Sequence, residues 1–259
     1  MRSSLLGSLV QVLKFNLDRK AARVSVFELG RVFLRDQSVQ NTDTAVAGFH
    51  QPMRVAGLRY GAAQPLQWGA SALPVDFFDI KADVEKLLAP QQVQCTPAQH
   101  PAMHPGRCAR VSVGEREIGF VGELHPKWRQ SYDLQQAPML FELELEALLE
   151  RPVPRFNAVS KFQDVERDIA VIVNEQVTHD AIMQSVHKAP TQGLLKSATL
   201  FDIYRPSQAS HTMQLGEKSL AVRLVLGSGD ATLTDEQIES VTQGVVAHLQ
   251  ASVQARLRV

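Results

Sequence analysis

The sequence has few cysteines, no long apolar run and no excess of either charge. Two cysteines in 259 residues are too few for a disulfide framework, which favours a reducing compartment. No apolar run reaches the roughly 18 residues that a membrane-spanning helix needs. Lys and Arg together number 27, as do Asp and Glu, so the net charge is zero. This balance argues against binding of nucleic acid through a basic tail, but it leaves room for a small local RNA site.

The composition itself is that of a folded chain. Apolar residues make up 44% and charged residues 21%, which is enough to bury a sizeable core. The length is typical of about two domains. Pro152 and Pro154 lie within three residues, so neither a helix nor a central strand passes through them. We therefore predict a linker at 152–160 between domains at 1–151 and 161–259.

The first 151 residues predict an α+β domain with a largely antiparallel sheet. Apolar residues recur at helical spacing from Leu5 to Leu17, so we interpret the N-terminus as an amphipathic helix of the folded domain, not as a targeting peptide. Short alternating stretches farther along predict strands. Residues 90–106 contain several prolines and no periodicity, and there we predict no regular element.

From residue 161 onward the pattern predicts the order β-α-β-β-α-β, which is the ferredoxin-like split motif. Thr178 and Thr234 stand where each would cap one of the two helices. The four predicted strands are Ile169–Val173, Thr199–Tyr204, Ser219–Leu226 and Ala255–Val259.

Alternation within these strands assigns each residue to one face of the sheet. The apolar set is expected to face the helices: Ile169, Val171, Val173, Phe201, Ile203, Leu220, Val222, Leu224, Leu226, Ala255, Leu257 and Val259. The other face, called the open face below, then carries Ala170, Asp202, Tyr204, Ser219, Ala221, Arg223, Arg256 and Arg258. A ring, a carboxylate and arginines are the components of single-stranded RNA recognition on a four-stranded sheet. An ordinary solvated face carries similar residues, so alternation alone leaves both interpretations open.

A zinc site is the alternative for one loop of the first domain. Its candidate ligands are Cys95, His100, His104 and Cys108. Only the two histidines have a spacing typical of zinc, and the neighbouring prolines stiffen the loop. We therefore favour a Pro-rich structural loop and predict no metal site in this chain.

Several multi-residue motifs resemble one family. Four segments of the second domain resemble the ferredoxin-fold anticodon-binding domain of phenylalanyl-tRNA synthetase: Lys161–Ala170, Leu200–Tyr204, Gly216–Ala221 and Thr232–Glu236. Four upstream segments are similar to the synthetase-like domain of the bacterial β subunit: Met1–Leu6, Val26–Phe33, His104–Arg107 and Ile118–Pro126. The resemblance covers nearly the whole chain in order. Gln163 departs from it, because the family usually has Pro there.

The resemblance implies a class II synthetase-like fold without an active site, followed by a ferredoxin-like anticodon-binding fold. In this family an α subunit binds ATP and phenylalanine and does the chemistry within a cytoplasmic α2β2 tetramer. The chain is thus expected to be a non-catalytic C-terminal fragment of the β subunit, with the α subunit and the tRNA for phenylalanine as partners and no membrane contact. ATP and magnesium are expected on the whole enzyme and no cofactor on this fragment. The residues agree, because class II activation needs Arg-x-Glu to hold ATP, whereas Arg31 is followed by Val32 and Phe33.

The anticodon role implied by the resemblance falls on the open face. The first anticodon base is guanine, and Tyr204 is expected to stack on it while Asp202 accepts hydrogen bonds from its N1–H and N2–H2 groups. Ser219 and the Ala170 backbone are expected to complete this pocket. The arginines expected to hold phosphates are Arg223, Arg256 and Arg258. The alternative is a ferredoxin-like regulatory or interaction module that binds a small ligand or a protein, which would show a closed apolar pocket between strands.

Overall fold

The computed structural model of the chain describes residues 1–43, 45–150, 152–153, 156, 160–208 and 213–258. The chain divides into two compact units, Met1–Pro154 and Arg155–Val259. The division falls within the segment predicted to be a linker. Part of that segment lies outside the described residues, so the linker and the domain limits stay predictions. None of the helices in the described ranges is long and apolar enough to cross a membrane.

The first unit is built around a six-stranded antiparallel sheet, which confirms the predicted architecture. The strand order is β1-β4-β8-β7-β6-β5, and β2 pairs with β3 separately. Its elements are α1 (Leu6–Leu17), β1 (Val24–Arg31), β2 (Leu34–Arg35), β3 (Phe49–His50), β4 (Met53–Tyr60), α2 (Phe77–Leu88), β5 (Val93–Pro97), β6 (Met103–Val113), β7 (Arg116–Leu124), α3 (Pro126–Ser131), β8 (Met139–Glu144) and α4 (Leu145–Leu149).

The N-terminal helix α1 belongs to the folded unit, as its periodicity predicts. Leu6, Leu9 and Leu13 are fully or almost fully buried, and they pack with Leu58 of β4 and Leu140 of β8. One apolar stripe on α1 thus covers one face of the sheet.

The prediction of no regular element at 90–106 is wrong. Strand β5 occupies Val93–Pro97, and β6 begins at Met103. The prolines are placed where a sheet tolerates a missing N–H donor. Pro97 ends β5, which is an edge strand, and Pro105 lies within the register shift between Met103 and Cys108.

The second unit has the predicted βαββαβ order, and its sheet is antiparallel with strand order β10-β11-β9-β12. Its elements are β9 (Val165–Asn174), α5 (His179–Lys188), β10 (Leu195–Tyr204), β11 (Glu217–Leu226), α6 (Asp235–Val253) and β12 (Arg256–Leu257). Both predicted caps form. The Thr178 side chain accepts from the backbone N–H of Ala181, and Thr234 forms a capping box with Gln237.

The core of this unit lies between one sheet face and the two helices. Ala255 is buried, as predicted. So are the predicted core residues of the two central strands: Ile169, Val171, Val173, Leu220, Val222, Leu224 and Leu226. They pack against Ile182 and Val186 of α5 and against Val241, Val245 and Leu249 of α6. Val259 lies outside the described residues.

The core prediction is wrong for three residues of the two edge strands. Phe201 is 53%, Ile203 43% and Leu257 47% exposed. Ile203 and Leu257 pair with buried core residues, but they lie where only one neighbouring strand flanks them. Phe201 differs, because β10 contains a β-bulge at this residue.

The bulge changes the side of the sheet on which β10 residues lie. Leu200 pairs with Val222, and Asp202 pairs with Ala221, so Phe201 is an extra residue opposite a single step of β11. A bulge of this kind re-aims the side chain of the inserted residue. When strict alternation is applied across a bulge, the residues on one side of it are assigned to the wrong face of the sheet.

Candidate nucleic-acid interface

The predicted site residues lie on neighbouring positions of the open face. Tyr204 pairs with Ser219, which pairs with Ile172, which in turn pairs with Arg256. The adjacent row runs through Asp202, Ala221 and Ala170, and the backbone N–H of Arg258 donates to the Ala170 carbonyl at 2.8 Å. Arg223 pairs with Asp168 farther along the same face. The sheet register therefore brings all of the predicted site residues together on one surface.

Tyr204 and Asp202 offer a stacking surface beside a carboxylate. The Tyr204 ring is 48% exposed, and the Arg258 guanidinium carbon lies 5.3 Å from the ring centroid. Asp202 is exposed, and among the described residues no side chain forms an ion pair or hydrogen bond with its carboxylate. Together they can stack on a base and accept hydrogen bonds from its edge.

Arg223 is bound by carboxylates of the neighbouring strand. Its Nε and Nη2 atoms each donate to Asp168 at 2.8 Å, and Nη1 lies 3.0 Å from Glu166. The hydrogen bonds from Arg223 lower the pKa of Asp168, and those to Asp168 raise the pKa of the guanidinium. This charge is therefore largely compensated, which weakens Arg223 as a phosphate ligand.

Arg256 is compensated in the same way, whereas Arg258 is not. Arg256 Nη2 donates to both carboxylate oxygens of Glu217, at 2.7 and 2.6 Å. A backbone hydrogen bond from Gln214, together with Arg256, lowers the pKa of Glu217. Within the described ranges Arg258 has no carboxylate partner, and its Nη1 donates to Ser219 Oγ at 3.4 Å. Arg258 is thus the best placed of the three arginines to meet a phosphate.

Ala170 and Ser219 lie beneath the longer side chains of the site. Ser219 is only 3% exposed, and its hydroxyl is engaged by Arg258. The Ala170 carbonyl already accepts the N–H of Arg258. Both residues therefore form the floor between the ring and the arginine, with little surface of their own.

Sequence reasoning missed two kinds of residue on this face. Asp168 and Glu217 stand two residues before Ala170 and Ser219, so the same alternation could have found these arginine partners. Phe201 is the other kind. Its ring lies 5.3 Å from the Arg223 guanidinium carbon, although its position in the strand pattern predicts burial. Only a sequence sign of the bulge could have revealed it, and there is none.

A groove of about 800 Å³ in the first unit lies over β1, β4 and β8. Its lining is largely apolar and includes Phe27, Leu29 and Phe141. Arg31, at the end of β1, donates to the Gln51 carbonyl at 3.1 Å. No group of three or more His, Cys, Asp or Glu side chains in the described part of the chain is arranged to hold a metal.

Three of the four side chains considered for zinc have contacts within the first unit. Cys108 is buried against Met103, with 3.6 Å between the sulfur atoms, and burial raises the pKa of its thiol. His100 packs on the Phe120 ring with centroids 5.0 Å apart, and burial lowers its pKa. His104 Nδ1 accepts from the N–H of Gly106 at 3.0 Å.

Comparison with known families assigns both units. Residues 1–145 match the family model described as the phenylalanyl tRNA synthetase beta chain CLM domain. Residues 160–258 match the ferredoxin-fold anticodon binding domain. A solved pyrrolysyl tRNA synthetase from Desulfitobacterium hafniense aligns with 57% of this chain and 48% of its own at 13% identity and a TM-score of 0.39, which is too loose to support an argument.

Curated relatives match over the whole chain. The phenylalanine--tRNA ligase beta subunit of Cupriavidus pinatubonensis is 47% identical over 100% of this chain, which spans 32% of that protein. The corresponding subunit of Neisseria meningitidis serogroup B is 44% identical over 100% of this chain, which spans 31% of that protein. The chain therefore spans about a third of the length of these relatives. By the family model that matches more than half of its residues, the chain belongs to the phenylalanyl tRNA synthetase beta chain family.

Proposed function

We propose that this chain is the C-terminal part of a phenylalanine–tRNA ligase β chain and that its second unit binds the anticodon of the tRNA for phenylalanine. The first anticodon base, guanine, stacks on Tyr204, and the Asp202 carboxylate accepts from the guanine N1–H and N2–H2 groups. Arg258 meets the adjoining phosphate. A carboxylate is the one acceptor in this site that guanine, with two neighbouring donors on its Watson–Crick edge, satisfies better than any other base.

The observation that carries this proposal is the exposed Tyr204 ring beside the exposed Asp202 carboxylate, which has no ion-pair or hydrogen-bond partner in the described part of the chain. An exposed carboxylate and a half-exposed aromatic ring contribute little to the stability of the fold. Both groups are accessible to an RNA base, which can stack on the ring and donate hydrogen bonds to the carboxylate. A regulatory module would close its ligand into an apolar pocket between strands. The exposed Tyr204 and Asp202 favour RNA over that alternative.

The remaining roles follow from the family. The first unit supports the catalytic α subunit in a cytoplasmic α2β2 enzyme. ATP and magnesium are bound by the α subunit of the whole enzyme, because Arg31 is followed by Val32 and Phe33 and so lacks the Glu of an Arg-x-Glu motif that holds ATP. The chain by itself is therefore not expected to aminoacylate tRNA.

The test is titration of an anticodon stem-loop into the chain at low salt. Replacing the first anticodon guanine by adenine, and replacing Tyr204 by Ala, are each expected to cost about 1–3 kcal/mol of binding free energy. Inosine lacks the 2-amino group, so it is expected to bind between guanine and adenine with the wild-type chain, and no worse than guanine with Asp202→Asn. Phe27→Ala is the matched control, because this exposed ring lies in the first unit.

If the affinity is unchanged by the replacement of guanine, by Tyr204→Ala and by Asp202→Asn, the interaction is only electrostatic attraction between phosphates and arginines. The assignment of Tyr204 and Asp202 would then be wrong. A loss with Phe27→Ala as large as the loss with Tyr204→Ala would equally argue against a localised site.

A further inference from the structure

Phe201 occupies a position on the open face that its sequence pattern does not predict. Because of the bulge, Phe201 and Asp202 together lie opposite the single residue Ala221 of β11. Phe201 is 53% exposed, and the Arg223 guanidinium carbon lies 5.3 Å from the centroid of its ring. An aromatic ring is thus exposed to solvent at the edge of the open face.

Phe201 and Arg223 repeat the arrangement of Tyr204 and Arg258. In both pairs a guanidinium lies 5.3 Å from the centroid of a ring that is about half exposed. The two rings stand three residues apart on β10, and because the bulge adds Phe201 as an extra residue, their separation along the strand is about 7–10 Å. That separation exceeds the rise of about 3.4 Å between stacked neighbours in a nucleic-acid strand. Two bases that are splayed out of their stack can therefore occupy both rings.

Arg223 differs from Arg258 in how firmly it is held. Two hydrogen bonds to Asp168 and an ion pair with Glu166 fix the guanidinium and compensate its charge. A fixed, compensated guanidinium is a poor phosphate ligand, but it restricts the ring that it contacts. A restricted ring loses less conformational entropy when a base stacks on it.

We propose that Phe201 is a second stacking platform, which binds an unpaired base of the anticodon loop other than the first anticodon guanine. The inference rests on the proposed function, because it takes the guanine to occupy Tyr204. Stacking on a ring is tolerant of base identity, since every base offers a π-face. Phe201 is therefore expected to add affinity without selecting a base.

The experiment measures binding of the anticodon stem-loop to the 259-residue chain at low salt. Phe201→Leu keeps an apolar side chain and removes the ring, so it is expected to weaken binding at least fivefold, the loss of about 1 kcal/mol that one base–ring contact supplies. Phe201→Trp is expected to retain or improve binding. Phe27→Leu, at another exposed strand position in the first unit, is expected to bind as the wild type does.

Loops with a single abasic nucleotide identify the partner base. For one abasic position other than the first anticodon nucleotide, Phe201→Leu is expected to cause no further loss, because the contact is already missing. At every other position the loss with Phe201→Leu is expected to remain. An undiminished loss at all positions, or one that disappears only at the first anticodon nucleotide, would overturn the proposal, as would absence of binding by the wild-type chain.

Deletion of Phe201 provides a second variant that removes the bulge itself. Asp202 then follows Leu200 directly and remains opposite Ala221, so Tyr204 keeps its partner Ser219. The deletion is expected to weaken binding as Phe201→Leu does while preserving the preference for guanine over adenine. A reduced preference for guanine with Asp202→Asn, but not with the deletion, separates this proposal from the guanine site. A loss of the guanine preference with Phe201→Leu would instead assign the ring to the guanine site and overturn the proposal.

Discussion

The position of the bulge can be tested by stability alone, without RNA. Strand alternation predicts that Phe201 and Leu224 both lie in the core, whereas the structure buries Leu224 completely and leaves Phe201 53% exposed. Truncation of each side chain to Ala should therefore have very different effects on the free energy of unfolding of the second unit.

The magnitudes follow from burial. A fully buried Leu replaced by Ala typically costs about 2–5 kcal/mol, because apolar contacts are lost and a cavity remains. Leu224 packs among both helices, so this range applies to it. Complete burial of a Phe side chain is worth about 1.5–3 kcal/mol, and roughly half of that is at stake for Phe201, with no closed cavity left behind. We expect about 1 kcal/mol for Phe201→Ala, compared with about 3–5 kcal/mol if the ring were in the core.

Hydrogen exchange of peptides from β11 measures the opening free energy of the second unit, and peptides from β4 report on the first unit as an internal control. Leu224→Ala is expected to lower the opening free energy measured in β11 by the whole of the range given above, about 2–5 kcal/mol, and to leave protection in β4 unchanged. A loss for Phe201→Ala as large as that for Leu224→Ala would place the ring in the core and refute the bulge.

Three further expectations concern caps and charges. Thr234→Ala is expected to destabilise the second unit by about 1 kcal/mol, measured by the same exchange, because it removes the capping box of α6. Burial raises the pKa of Glu28, but hydrogen bonds from neighbouring Ser and Arg side chains outweigh this, and the pKa lies below its ordinary value of 4.5. Glu28→Gln is thus expected to lower stability at neutral pH, and denaturation at a series of pH values should show the difference from wild type fading as pH falls below 4.5. Changing Asp168 and Glu166 to their amides frees the Arg223 charge, so the slope of log affinity against log salt for RNA should steepen by about 0.7.

Much of the fold could be predicted because local patterns and tertiary packing agree. The caps at Thr178 and Thr234 and the alternation of β9 and β11 depend on near neighbours in the chain, and each forms as predicted. The failures have long-range causes. Pro97 breaks the local strand pattern, yet it is tolerated because β5 lies at a sheet edge, which only the strand order reveals. The bulge at Phe201 depends on the register with β11, and the sequence of β10 contains no signal that predicts it.

The same register decides which arginines of the open face are free to meet the RNA of the proposed function. Alternation places Arg223, Arg256 and Arg258 together, but pairing across strands gives the first two carboxylate partners and leaves Arg258 without one among the described residues. A face with one uncompensated arginine gives a salt slope of about −0.7, whereas three free arginines would give about −2, since each phosphate contact on a single strand contributes about −0.7. The chain as a whole has no net charge to add to this attraction. Under the proposed function, most of the affinity is then expected to come from stacking on the rings and from the Asp202 carboxylate, and the carboxylate is the contact that can distinguish one anticodon from another.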